Sequence, residues 1–235
     1  MSHFLALETA TDICDVAVFC DEHPIAHRSL HQAKSHAERL VPMIQECLVE
    51  AAIEPERLQA IAVSSGPGSY TGLRIGASTA KGLAYATGAR IIAVPTLEAL
   101  AFPLLQSTNG PVIGVLPSRR GEVYLAVFEA DGDSIRRIVD ECALETDTFS
   151  KRLREAKITT GLICGPGVTR LVESGVNLDG FTVSEISLSA KNVGFAALGR
   201  LEKQLFEDTS AFKPYYLRDF VARKATRSIF DRLPF

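Results

Sequence analysis

Residues 64–76 read SSGPGSYTGLRIG, four of the chain's seventeen glycines within thirteen positions, and the chemistry open to such a stretch is backbone chemistry. Glycine permits positive φ and close approach, and Pro67 stiffens the turn. The apolar Ile61-Ala62-Val63 ahead of it and the helical pattern behind it predict strand, tight turn and helix start. A loop of this kind aims N–H groups at an anion or at a closely packed backbone. Side-chain candidates are fewer. Glu8, Thr9 and Thr11 follow the first strand-like run, and Ser118 follows the run at 112–116. Carboxylates and hydroxyls in such loops hold magnesium and phosphate in ATPases. The second loop opens without an aspartate, so a paired-carboxylate magnesium site is incomplete. His27 and His31 have the i, i+4 spacing of a helical metal pair, but they fall where the pattern reads as strand. Ser78-Thr79-Ala80-Lys81 has S-x-x-K spacing without its supporting motifs. Ser69 comes one place late for a G-x-S-x-G elbow, and no histidine follows His36.

The elements that must position these groups can be read from periodicity. Strands are predicted at 4–7, 16–19 and 24–29, then an amphipathic helix at 35–52 that Pro42 should kink or start, then a strand at 61–64. The glycine stretch opens a second helix that Gly88 closes. A strand at 90–94 follows, and Thr96 is expected to cap a helix to about 106. From Pro111 the order begins again: strands at 112–116, 122–128 and 135–140, with Asp131-Gly132-Asp133 as hairpin turn. Asp147 is expected to cap a short helix, with a strand at 162–165, a helical turn at 168–174, a strand at 181–184 and a Ser189-capped helix to 206. Gly165-Pro166-Gly167 stands in the second half where Gly66-Pro67-Gly68 stands in the first. We read an α/β chain of two β-β-β-α-β-α-β lobes. That is the plan of the actin-like, RNase H-like ATPases, the ASKHA fold. Lobes at 1–108 and 109–235 are expected, with the 189–206 helix joining the first.

Composition narrows the function classes. The chain has 235 residues, 46% hydrophobic and 23% charged, and no apolar run of eighteen. Its N-terminus lacks a basic region followed by an apolar one, so a cytoplasmic protein with no membrane association is expected. Five scattered cysteines with no C-x-x-C pair argue against a disulfide framework or a cysteine zinc site. A net charge of −3 offers no long-range attraction to nucleic acid. Arg218, Arg223, Lys224 and Arg227 form a local basic run that could touch RNA. Gly72, Gly76, Ala77, Ala80, Ala84 and Tyr85 recur at helical spacing, a face that either packs on the sheet or admits a helix of another chain.

The glycine stretch, with FLALETAT at 4–11, SHAERLVPMI at 35–44, GEVYLAVF at 121–128 and PYYLR at 214–218, closely resembles the bacterial TsaB (YeaZ) family. The resemblance runs from about residue 4 to 218. It implies a non-catalytic partner subunit, similar to TsaD but without its metal-binding histidine pair, that supports N6-threonylcarbamoylation of adenosine in tRNA (t6A37). It implies a TsaD heterodimer formed through the helices of the first lobe, TsaE in the larger complex, tRNA reached through that complex, and a homodimer when alone. The contact residues carried over are Leu40, Ile44, Tyr70, Thr71, Arg74, Ile75 and Ser78. No cofactor or metal of its own is expected, ATP/ADP and metal belonging to the partner subunits. Weak nucleotide contact would fall to Glu8, Thr9 and Ser118. Glu8 stands where the family generally has aspartate, and Ser118 where it more often has Asp-Ala-Arg. The alternative is an actin-like-fold ATPase or kinase, or a peptidase, with its own active site.

Overall fold

The computed structural model describes residues 1–32, 34–132 and 134–218. Asp133, Arg223, Lys224 and Arg227 lie outside them. The first half builds β1 (His3–Glu8), β2 (Ile13–Cys20) and β3 (His23–His31) as an antiparallel meander, then α1 (His36–Ala51), β4 (Leu58–Gly66), α2 (Tyr70–Thr87), β5 (Arg90–Pro95) and α3 (Thr96–Leu105). The second builds β6 (Val112–Pro117), β7 (Glu122–Asp131), β8 (Ser134–Glu145), α4 (Phe149–Glu155), β9 (Gly161–Cys164), α5 (Gly167–Glu173), β10 (Phe181–Ser184) and α6 (Ala190–Glu202). The sheets have the same order, β3-β2-β1-β4-β5 and β8-β7-β6-β9-β10, with β4 parallel to β1 and β9 parallel to β6. This duplicated, mixed five-stranded sheet is the actin-like plan.

The central strands read as nearly unbroken apolar runs because both faces of each sheet are covered. On the first sheet's outer face, Leu5, Leu7, Val16, Val18, Ile61 and Val63 meet the buried stripes of α1 and α2. On its inner face, Phe4, Phe19, Ile92 and Val94 share one core with α3, α6 and Val112, Leu116 and Phe128 of the second sheet. The second sheet's outer face is closed by α4 and α5. The result is five layers, α/β/α/β/α. The middle layer is exchanged. Although α3 follows the first sheet in sequence, it lies mainly across β6 and β7, while α6, the last helix, lies across β1, β2, β4 and β5. Glu98 on α3 and Arg200 on α6 lock the two with paired bonds of 2.7 and 2.9 Å.

Several local readings change. Pro42 sits inside α1, which runs on from His36 to Ala51. The carbonyl left without an N–H partner is that of Glu38, which is exposed and open to water. Thr96 does not cap α3: its hydroxyl accepts from the N–H of Gly66 at 3.1 Å. Asp147 lies in a short 3-10 turn, and α4 has no side-chain cap. Ser189 does cap α6, accepting from Asn192 N at 3.3 Å, but the helix ends at Glu202.

Candidate functional site

The glycine stretch ends β4 and begins α2, and its backbone is bound by protein. Tyr215 N donates to Ser65 O at 2.7 Å, Gly66 N to Thr96 Oγ1, Ser69 N to Ala10 O at 2.7 Å, and Gly72 N to the Ser69 hydroxyl that caps the helix. Gly66 has φ 115°, and a Cβ there would collide with the Tyr215 carbonyl. Of the two uses open to such a loop, the structure assigns close backbone packing. The small-residue face of α2 is taken up in the same way. Gly72 lies against the Thr9 carbonyl, Gly76 against the Thr9 side chain, and Ala77, Ala80 and Ala84 are buried in their own lobe.

The side chains considered for nucleotide contact part company. Glu8 is fully buried, accepts from Ala10 N at 2.5 Å and takes a hydrogen bond from Ser64. Burial, with Asp15 nearby, pushes its carboxyl up to about 8, against the hydrogen bonds from Ser64 and the backbone, so it carries a proton at neutral pH. A neutral carboxyl turned into the lobe is a poor magnesium ligand. Thr9 is fully buried beneath α2. Only Ser118 of the three lines the cleft between the lobes.

That cleft holds about 540 Å³. Thr11, Ser69 and Tyr70 wall it from one lobe, Ser118, Arg119 and Tyr124 from the other, and residues 215–218 complete the lining. Arg170 donates to the carbonyls of Ser118, Arg119 and Glu122 at 2.7–2.8 Å, so its charge braces the β6–β7 turn. Arg218 reaches Glu122 at 3.2 Å. The histidines are dispersed: His27 pairs with Asp15 at 2.8 Å, His36 meets Ile13 O at 3.1 Å, and His27 and His31 stand on an extended strand, about 13 Å apart along it. Among the described residues no three His, Cys, Asp or Glu side chains gather as a metal set. Ser78 is exposed on α2, and Lys81 instead holds the carbonyls of Ser210 and Phe212.

The outer face of α1 and α2 corrects the expected contact residues. Leu40 and Ile44 are 1% and 2% exposed, core residues of the first lobe that a docking partner could not touch. Tyr70, Thr71, Arg74, Ile75 and Ser78 do reach the surface, Tyr70 and Ile75 partly so. Arg74 donates to the Tyr70 hydroxyl at 2.9 Å and lies over its ring, and the Tyr216 ring packs at a tilt against Tyr70 with centroids 5.0 Å apart. Val41, Val49 and Tyr85 are 48, 81 and 91% exposed; periodicity places Val41 and Tyr85 on the two helix faces but misses Val49. Its signal is present. Val41, Gln45 and Val49 form an i, i+4, i+8 row off the buried stripe of 40, 43, 44, 47 and 48.

Comparison with known proteins bears on this geometry. The family model for TsaD, tRNA N6-adenosine threonylcarbamoyltransferase, matches residues 25–161. A protein of Escherichia coli K12 named tRNA threonylcarbamoyladenosine biosynthesis protein TsaB is 36% identical over 153 residues, 64% of this chain and 66% of that one. The TsaB of Bacillus subtilis 168 is 28% identical over 217 residues, 91% and 93% of the two chains. The chain belongs to the TsaB (YeaZ) family. The match spans about two thirds of the E. coli TsaB but nearly all of the B. subtilis one. A Pseudomonas aeruginosa crystal structure, described as an uncharacterized protein with similarity to peptidase YeaZ, superposes with TM-score 0.80 at 26% identity, covering 93% of this chain and all of that one. A second structure, of YeaZ from P. aeruginosa, gives 0.78 at 25% identity, covering 92% and 100%. The TsaB-type architecture therefore extends through both lobes. No helix among the described residues is long and apolar enough to cross a membrane.

Proposed function

We propose that this chain is a non-catalytic partner subunit in the biosynthesis of threonylcarbamoyladenosine in tRNA, docking a TsaD-type transferase through the outer face of α1 and α2. The observation that carries the proposal is a division of labour on α2. Its inner face and the glycine loop are closed by Thr9, Ala10, Thr96 and Tyr215, while its outer face leaves Thr71, Arg74, Ser78 and Tyr85 exposed, as α1 leaves Val41 and Val49. Exposed apolar side chains on neighbouring helices favour a helical partner, and a second copy can take that place when TsaD is absent. TsaE joins the larger complex, tRNA is met through it, ATP/ADP and metal reside in the partners, and the setting is the cytoplasm. An ATPase or peptidase reading finds little support at Glu8, which holds its proton, or at Ser69, whose hydroxyl caps a helix.

Light scattering of the chain mixed with purified TsaD tests the proposal. Val49→Glu and Tyr85→Glu should abolish the heterodimer without lowering the thermal transition. A wild-type mixture that stays as separate species, or a complex that survives both changes, would overturn it.

A further inference from the structure

The last described stretch of chain leaves α6, adds Glu207 beside Ile91 of β5 with a 2.9 Å bond, and returns along the first lobe. It is anchored there repeatedly. Phe212 is buried in the first lobe's outer core, Lys81 Nζ donates to Ser210 O and Phe212 O at 2.8 and 3.2 Å, and Tyr215 N donates to Ser65 O at 2.7 Å. Tyr216 then packs at a tilt against Tyr70, and residues 215–218 line the cleft between the lobes. Among the described residues one ion pair ties it to the second lobe, Arg218 Nη2 to Glu122 Oε1 at 3.2 Å. The other carboxylate oxygen, Glu122 Oε2, is buried without a hydrogen-bond partner among the described residues, as is the neighbouring Ser118 Oγ. Arg218 itself is 41% exposed. A singly bonded, half-exposed pair of this kind is weak and salt-sensitive.

We propose that residues 215–218 are a latch across the inter-lobe cleft, held to the second lobe by Arg218 on Glu122 and opened when that pair separates. The asymmetry of the anchors dictates the movement: the strap stays with the first lobe and lets go of the second. The lobes themselves are joined through the buried core that α3 and α6 share with both sheets, with Glu98 on α3 paired to Arg200 on α6, so the strap moves and the lobes do not. Arg170 keeps the Glu122 turn rigid, so the seat does not follow the strap when Arg218 leaves. What opening uncovers is a cleft of about 540 Å³ lined by tyrosine rings and by Ser118, whose hydroxyl has no hydrogen-bond partner among the described residues.

The chain supplies its own reporter. It has no tryptophan and five tyrosines, four of which, Tyr70, Tyr124, Tyr215 and Tyr216, line the cleft. Acrylamide quenching of intrinsic fluorescence in the full chain therefore reads the latch directly. Arg218→Glu and Glu122→Arg each set like charges against one another and should raise quenching, with the open population growing about threefold or more. The double exchange should restore the wild-type value. Arg218→Gln should raise quenching without charge reversal, and 1 M salt should raise it in the wild type but not in that variant. Single reversals that quench like the wild type, or a double exchange that quenches as strongly as the singles, would overturn the latch. None of these measurements involves TsaD, so their failure leaves the docking proposal standing.

Discussion

The two Gly-Pro-Gly turns occupy the same place in two copies of one fold, yet different things follow them. Gly66 and Gly165 have φ of 115° and 104°, and each lies against a backbone carbonyl, that of Tyr215 in the first lobe and Val115 in the second. Both are joints of the fold. Beyond them, Ser69 caps an eighteen-residue α2 in the first lobe, while the second continues into a seven-residue α5 with no side-chain cap. The partner helices differ likewise, sixteen residues in α1 against seven in α4. A repeat kept at its joints and changed in its helices separates what the fold needs from what an added surface needs.

If the turns are joints, breaking either should be equally severe. Gly66→Ala and Gly165→Ala should each cost about 3 kcal/mol or more, read as a loss of the folded fraction in urea, because a Cβ meets backbone at positive φ. A tolerant Gly165 would break the equivalence.

The loops after β1 and β6 should part under pH. Glu8 holds its proton to about 8 when folded and to 4.5 as a free side chain. Its contribution to stability is whole below 4.5, where both states bind the proton, and is lost as pH rises through 8, because the unfolded chain releases it first. The slope approaches about 1.4 kcal/mol per pH unit between those limits. Glu8→Gln should flatten it in denaturant titrations across that window, whereas Ser118→Ala in the second lobe should leave it unchanged.

The helices offer the sharpest test of surface against fold. Val49→Glu on α1 and Val172→Glu on α5, at sites 81 and 59% exposed, should each shift stability by less than about 0.5 kcal/mol. Only Val49→Glu should reduce association in light scattering. Within α2 the glycines divide in the same way, and Gly82 has open space where a Cβ would go. Gly82→Ala should raise stability by about 0.8 kcal/mol in thermal unfolding, while Gly72→Ala, against Thr9, should lower it severely.

The strand order and the repeat were legible because covered sheets write themselves as apolar runs and because Gly66 and Gly165 recur at one place. Side-chain destinations were not. A hydroxyl before a helix looks like a cap, and nothing local tells that Thr96 turns instead to Gly66, thirty residues away. Leu40 and Ile44 were carried over as contacts from the family resemblance, and periodicity could not correct that, because it shows that a stripe exists but not whether the sheet or another molecule covers it. Glu8 looked like a cleft carboxylate because its burial is decided by Ser64 and the weight of the lobe above it, neither of which lies near it in the chain. The exchange of α3 and α6 is a tertiary fact with no periodic trace.

That exchange has a consequence for how the chain emerges from a ribosome. The five strands of the first sheet are all synthesised by Pro95, but the helix that covers their inner face ends at Glu202. At cellular elongation rates the intervening stretch of about 100 residues takes on the order of 5–20 s to appear. Through that interval Phe4 and Phe19, on the strands that α6 covers, lack that helix. The nascent first half is therefore a client for chaperones until the last helix arrives, and a stop codon placed between the lobes should yield an aggregating fragment rather than a small folded domain.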